Sequence, residues 1–272
     1  MSTDPTSASG LTGAGERILW PAEPIWDAVA PLLPGFSVEI LPEIDSTNSE
    51  LMRRARAGRL EPVLLVGERQ SAGRGRLGRS WMSGAQGATS LTFSLGLALA
   101  PADWSGLSLA VGVAVAEQLH PAVQLKWPND LWVGGRKLAG ILIETASFGE
   151  GSAAKRYAVM GVGINLAPPA DAGLPVAPIG LQELVPAAQA GAVLLRLAAP
   201  LVQAIQAFES YGFAPFQARF NARDALRDRA VVLSDGTAGT AHGASEAGAL
   251  LVHTAVGMKI VTSSEVSVRP AA

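Results

Sequence analysis

The chain has no cysteine, three histidines and little charge, with Asp, Glu, Lys and Arg making up 16% of its 272 residues. The first absence excludes disulfides, thiolate metal sites and thiol nucleophiles. His120, His242 and His253 stand far apart, without metal-ligand spacing, and are expected to be ordinary folded histidines. A net charge of −2 removes any broad electrostatic claim on DNA or membrane. Apolar stretches such as 106–116 are read as too short to span a bilayer. The N-terminus offers Asp4, Ser, Thr, Gly and Pro where a signal peptide needs positive charge and an apolar run, so a cytoplasmic location is expected. At 49% hydrophobic residues, the chain can bury one large domain, or one large and one small. No internal repeat is evident.

Against this sparse background, residues 68–81 concentrate Arg69, Arg74, Arg76 and Arg79 among Gly73, Gly75 and Gly78. Guanidinium forks beside glycine-exposed amides suit carboxylate and phosphate oxygens, and an arriving anion relieves the arginines' mutual repulsion. Gly73, Gly75 and Gly78 have the dinucleotide G-x-G-x-x-G spacing, and Gly73 to Ser80 that of a phosphate-binding P-loop. Both motifs need a helix directly after the glycines, and the first also needs an acid about 20 residues on. Here Arg79-Ser80-Trp81 runs toward a turn-like Ser83-Gly84, and no Asp or Glu stands between Glu68 and Asp103. Apolar strands on both sides argue against a disordered Arg-Gly segment of the nucleic-acid-binding kind. The expectation is a loop that closes on an anionic small molecule. Taken alone, the loop leaves a solvated arginine turn open.

Patterning predicts a short helix at 25–33, a strand at 36–41, and a helix opened by a Thr47/Glu50 capping box and ended at Gly58. Strands follow at 63–67 and at Leu91, Phe93, Leu95 and Leu97, which alternate with Thr92, Ser94 and Gly96. A helix is predicted over 106–119, then strands at 123–127 and 130–133, with Gly134-Gly135 as a hairpin turn into 138–144. In the strand at 157–166, Gly161 and Gly163 suggest close backbone approach. Prolines make 167–180 a loop. Leu194, Leu197, Leu201, Ile205 and Phe208 mark one helix face, and a short helix is expected over 216–223. Beyond Arg229, short β segments at 230–233, 249–253, 259–261 and 266–268 suggest a small barrel.

The polar landmarks, taken in order, are Asp45-Ser46-Thr47-Asn48, the run Gln70 to Trp81, Lys126-Trp127-Pro128-Asn129-Asp130, Arg136-Lys137-Leu138-Ala139-Gly140-Ile141-Leu142-Ile143-Glu144, and Gly161-Val162-Gly163-Ile164-Asn165. Five motifs in this order strongly resemble the biotin–protein ligase family, over about 230 residues from Val38 to Arg269. The resemblance implies an α+β fold: a mixed-sheet, class II synthetase-like catalytic domain of the biotin ligase kind, followed by a small SH3-like β-barrel. The expected division is a flexible segment at 1–35, the catalytic domain at 36–225 and the C-terminal domain at 226–272. It also implies that biotin and ATP form biotinyl-5′-AMP, with Mg²⁺ on the ATP phosphates and protein metal ligands unspecified. The biotinyl group then passes to one lysine of the biotin carboxyl carrier protein of acetyl-CoA carboxylase. Neither step needs a protein nucleophile, which agrees with the missing cysteine.

Position by position, the resemblance implies that Ser46, Thr47 and Asn48 contact biotin's ureido head; helix capping is their plainer role. Gln70, Gly73, Arg74, Gly75 and Arg76 match the loop over biotin and the adenylate, and Arg76 the residue that retains the adenylate. Lys137 matches the lysine that reaches both biotin's carboxylate and the α-phosphate. Trp81 matches an aromatic near the adenine, and Asn129 and Asn165 match residues on the nucleotide and metal side. Arg79 and Lys126 supply further charge for the nucleotide. Asp130 is the candidate for assisting deprotonation of the acceptor lysine. Only 45 residues precede Ser46, without a helix pair or basic stripe, so no repressor activity or DNA binding is expected. A homodimer is compatible with the family. The rival readings are a lipoate–protein ligase of the same fold and a non-catalytic biotin sensor. An octanoyltransferase would need the cysteine that is missing.

Overall fold

The computed structural model describes residues 18–82, 89–148, 155–169, 176–262 and 268–270. The polar tail expected at 1–15, the Ser83-Gly84 turn and parts of the 167–180 loop and the 266–268 strand lie outside the described residues.

Seven strands form one mixed sheet in the order β1-β2-β3-β7-β6-β5-β4. They are β1 (Ser37–Ile44), β2 (Val63–Gln70), β3 (Ser90–Leu99), β4 (Gln124–Lys126), β5 (Asp130–Val133), β6 (Arg136–Phe148) and β7 (Lys155–Asn165). Only β1 and β2 run parallel, joined through helix α2 (Thr47–Arg56); every other neighbouring pair is antiparallel. Period-two alternation distributes the side chains between two cores. Leu64, Val66, Leu91, Phe93, Leu95, Ala158 and Met160 face helices α1 (Ala22–Val29), α3 (Leu107–Leu119) and α4 (Ala190–Tyr211). Val63, Leu65, Tyr157 and Val159 face α2 and bury its Leu51, Met52 and Ala55. The polar set of β3, Thr92 and Ser94, is as buried as its apolar set, because α2 covers that face too.

The N-terminal segment expected to be flexible over 1–35 is built in from residue 18 onward. Ile25 and Val29 of α1 are fully buried, and Trp20 Nε1 donates to Glu68 Oε1 at 2.7 Å. Helix α1 starts three residues before the expected 25–33 stretch and stops ahead of Pro31, since proline fits a first turn but not an interior. The length argument about membranes also needs correction. By length and composition the 22-residue α4, which holds an 18-residue window of mean hydropathy 1.5, could cross a bilayer. Its Leu194, Leu197, Leu201, Ile205 and Phe208 are buried in the main core instead.

Helix α5 (Ala214–Asn221) leads to a five-stranded antiparallel sheet, β11-β10-β9-β8-β12, of β8 (Ala230–Leu233), β9 (Ala238–Ala244), β10 (Leu250–Thr254), β11 (Gly257–Val261) and β12 (Val268–Pro270). Sequence patterning did not single out β9, because Ala-Gly-Thr-Ala-His-Gly-Ala has low β-propensity. The two sheets are joined by specific bonds. Asn221 Oδ1 accepts from Ala244 N at 2.8 Å, and the buried Trp127 Nε1 donates to Gly248 O at 3.1 Å.

Between the sheets lies Asp224, 8% exposed, with one carboxylate oxygen accepting from Leu226 N and the other unpartnered. Burial pushes its carboxyl up from 3.8 to about 6. A carboxylate raised in this way contributes stability below its unfolded value, and that contribution is lost as pH rises through the folded value. Asp224→Asn is therefore expected to match the wild type near pH 4 and to exceed it by on the order of 3 kcal/mol near pH 7. Urea unfolding at the two pH values measures this; equal midpoints at pH 7 would mean that the carboxylate is solvated.

Candidate active site

A cleft of about 820 Å³ opens on the α2 face of the large sheet. Its closed end is built by the first turn of α2. Ser46 is extended (φ −160°, ψ 133°), and its hydroxyl caps the helix by accepting from Ser49 N at 3.4 Å. The expected Thr47/Glu50 capping box is absent, because Glu50 turns instead to Arg53 and Arg54, which both donate to it. Thr47 N and Oγ1 donate to Gln70 Oε1 at 2.8 and 3.1 Å, tying the helix start to the end of β2. Ser94 Oγ lies 2.7 Å from Thr47 Oγ1 and 2.6 Å from Asn48 Oδ1. Asn48 Nδ2 donates to Leu142 O and Glu144 Oε2 at 3.2 and 3.0 Å. Ser46, Thr47 and Asn48 are each at most 3% exposed, so the helix start forms a dry, polar wall.

The arginine loop is a self-bonded hairpin rather than the start of a helix, so neither nucleotide-loop motif applies. Trp81 N donates to Gly73 O at 2.9 Å, Gly75 N to Arg79 O at 2.7 Å and Arg79 N to Arg76 O at 3.2 Å. Leu77 and Gly78 at its tip have φ of 56° and 71°, the two positive values of a type I′ turn. A Cβ at Gly73 would stand 2.3 Å from Trp81 O, so this glycine closes the hairpin and does not line the cleft. Arg69 lies below the loop on β2, paired with Glu43 and away from the cleft. Arg74 reaches across to β6, where Glu144 Oε1 meets its Nη1 at 3.0 Å. Arg76 points inward, its Nη1 3.4 Å from Asn129 Oδ1. Burial draws the Arg76 guanidinium below its usual range; neighbouring Asp130 opposes that shift and Arg79 adds to it.

The opposite wall is the β5–β6 hairpin. Asp130 pairs with Gly140 and Leu131 with Ala139, but Trp132 then pairs with Lys137, so Leu138 is an extra residue. In an unbroken pleat Lys137 would share the core face of Ala139 and Ile141. The bulge sends Leu138 into the core, fully buried, and turns Lys137 to the cleft. There its Nζ lies 2.7 Å from Asp130 Oδ1. Asn165 does not line the cleft; its Nδ2 donates to the Lys137 carbonyl at 3.4 Å. Lys126 Nζ lies 4.8 Å from the Trp132 ring centroid.

The floor is a transverse row of paired residues, Thr92, Gly163, Gly140, Asp130 and Lys126, on five adjacent strands. Its two glycines leave a trough. The Trp81 indole fills part of it, since a Cβ at Gly163 would stand 2.3 Å from Trp81 Cε2. Trp81 Nε1 is buried without a partner. Gly161 is equally constrained, with its would-be Cβ 2.1 Å from Asn48 Oδ1. Side chains, rather than backbone, are what come close to these two glycines.

The cleft thus joins Ser46, Thr47, Asn48, Gln70, Arg74, Gly75, Arg76, Arg79, Trp81, Lys126, Asn129, Asp130 and Lys137. Among the described residues, five cations face a single lining carboxylate, Asp130, in a chain that is net negative overall. Sequence reasoning overlooked Ser94, Glu144 and Trp132. Glu144 closes a quoted motif, and a polar residue alternating with leucines was the available signal for Ser94. Such a site binds a polyanion at one end and a compact polar group at the other.

Comparison with known proteins identifies the family. Residues 41–165 match the Biotin/lipoate A/B protein ligase family, and residues 230–269 match the Biotin protein ligase C terminal domain. The Bifunctional ligase/repressor BirA of Escherichia coli is 36% identical over 250 residues, covering 88% of this chain and 76% of that protein. A biotin–[acetyl-CoA-carboxylase] ligase of Paracoccus denitrificans is 34% identical, covering 84% of this chain and 98% of that protein. The biotin protein ligase from Aquifex aeolicus in complex with biotin and ATP superposes with a TM-score of 0.72 at 27% identity, covering 86% of this chain and 99% of that one. The chain belongs to the biotin protein ligase family.

Proposed function

We propose that the protein is an ATP-dependent, AMP-forming biotin–protein ligase. The convergence of Arg74, Arg76, Arg79, Lys126 and Lys137 on one cleft, with a buried polar wall at its closed end, carries this reading. The wall of Ser46, Thr47, Asn48, Gln70 and Ser94 offers donors and acceptors to a ureido ring. The cations reduce the repulsion between biotin's carboxylate and ATP as a carboxylate oxygen attacks the α-phosphorus and pyrophosphate leaves. Lys137 stands between the two reacting groups, held by Asp130. Arg76, braced by Asn129, retains the adenylate, while Asn165 positions Lys137 from behind. Trp81 supplies an aromatic surface for the adenine. In the second step the acceptor ε-amine attacks the acyl carbon, the C–O bond to AMP breaks, and the amine's proton is lost. Asp130 is the carboxylate nearest that amine's approach.

When bound, Mg²⁺ neutralises the phosphates. Among the described residues no group of three acids or histidines could cage it. Mg²⁺ characteristically binds through substrate phosphates, waters and one or two protein oxygens. Asp130 and Asn129 are the oxygen donors at hand. The acceptor is a lysine on the biotin carrier domain of acetyl-CoA carboxylase, and the division into a catalytic domain to about 225 and a C-terminal domain beyond it follows the two sheets.

The same family model includes lipoate ligases. A dithiolane ring would cover the donors and acceptors that the wall keeps free of its own internal bonds without pairing them, which costs about 1–3 kcal/mol per group and favours biotin. ATP–pyrophosphate exchange is therefore expected with biotin and not with lipoate. Exchange driven by lipoate alone would overturn the substrate assignment.

A further inference from the structure

One apolar surface of the protein has no part in adenylate chemistry. The turn between β10 and β11 and the outer face of β11 expose Val256, Met258 and Ile260 at 98%, 54% and 66%. The turn is fixed, because Thr254 Oγ1 donates to Gly257 O at 2.8 Å and accepts from Val256 N at 3.3 Å. Lys259, the one charge on β11, folds back on Asp235 and Thr237 at 2.7 and 2.8 Å. The patch is thus rigid, apolar and without an unpaired charge.

Strand register ties this patch to the cleft. Met258 pairs with His253, His253 with Thr240 and Thr240 with Ala230. The next row is Gly239, Val231 and Pro270, and Pro270 lines the cleft. The exposed turn and the cleft rim therefore lie at the same end of the C-terminal sheet. They are separated by four strand spacings of ~4.8 Å, roughly 19 Å along the sheet. A protein that inserts a lysine into the cleft covers about 800 Å² of the enzyme, a footprint wide enough to reach both.

We propose that the Val256, Met258 and Ile260 surface is a docking site for the acceptor protein, which meets it with an apolar face beside the target lysine. This inference rests on the ligase reading above. A second copy of the chain fits less well. Two copies meeting through this face would have no reason to set it at the cleft end of the sheet, whereas the acceptor must come to that end to deliver its lysine.

The test is Met258→Glu combined with Ile260→Glu, with Val256→Asp as an independent second variant. Neither change touches the cleft, so biotin-dependent exchange and capture of the adenylate by hydroxylamine should stay within about twofold of wild type, which also reports an intact fold. With the purified biotin-acceptor domain of an acetyl-CoA carboxylase, KM should rise at least about tenfold, a loss of roughly 1.4 kcal/mol. An unchanged KM in both variants overturns the proposal. So does a wild-type dimer that the substitutions dissociate in sedimentation, which would make a second copy the occupant. Absence of biotin-dependent exchange in the wild type would instead refute the ligase reading itself.

Discussion

Lys137→Ala is expected to lower biotin-dependent ATP–pyrophosphate exchange by roughly two to three orders of magnitude, comparable to loss of one preorganised charge at a transition state. The structure explains why the effect should be large. The bulge at Leu138 brings one ammonium to the cleft, where it lies 2.7 Å from Asp130. In the mechanism proposed above, its removal deletes the cation between the attacking carboxylate and the α-phosphate. It also leaves Asp130, a like charge, facing both. Lys137→Arg keeps the charge but not the compact ammonium and should recover only part of the loss. Thermal unfolding should change little, because the Lys137 side chain is 35% exposed. Exchange at near wild-type rate in the alanine variant would remove Lys137 from the reaction.

Gly161→Ala should raise KM for biotin by about two orders of magnitude and leave KM for ATP within a factor of a few. A Cβ there would stand 2.1 Å from Asn48 Oδ1, so the amide must move. Moving it breaks contacts with Ser94 Oγ, Leu142 O and Glu144 Oε2. With the amide displaced, polar groups of bound biotin that it would pair are left unpaired in the complex at about 1–3 kcal/mol each, and two such losses suffice for the predicted factor. Combination with Asn48→Ala supplies the control. Once the amide is gone the new methyl has room, so the second substitution should add little to the first. Fully additive losses in affinity would show that Gly161 acts on biotin by some route other than Asn48.

Most elements were legible because their signals are local. Leu194, Leu197, Leu201, Ile205 and Phe208 repeat at helical spacing and are buried in α4 as that spacing requires. Gly134-Gly135 between two apolar runs made the hairpin, and both glycines have positive φ. The exceptions also have physical causes. The cap of α2 lies at Ser46 rather than Thr47, because Glu50 is better satisfied by two guanidinium groups than by a backbone amide. Strand β9 consists of small residues that fit a sheet only when its neighbours supply the packing.

The sequence by itself determined the chemical types in the site: arginines on a glycine-rich loop, two lysines, a polar helix start, and no nucleophilic thiol. Those are properties of residue identity and order, and the order of five motifs was enough to suggest a family. Tertiary structure alone decided which side chains meet. Gly73 and Asn165 were grouped with the binding residues, yet the first closes a hairpin and the second holds a carbonyl behind Lys137. The clearest case is Lys137 itself. Strand periodicity assigns it to the core, and only a mismatch of one residue between β5 and β6, set by pairing across the sheet, turns its ammonium toward Asp130 and the cleft. Register is a property of a strand pair and not of either strand, so no reading of β6 alone could supply it.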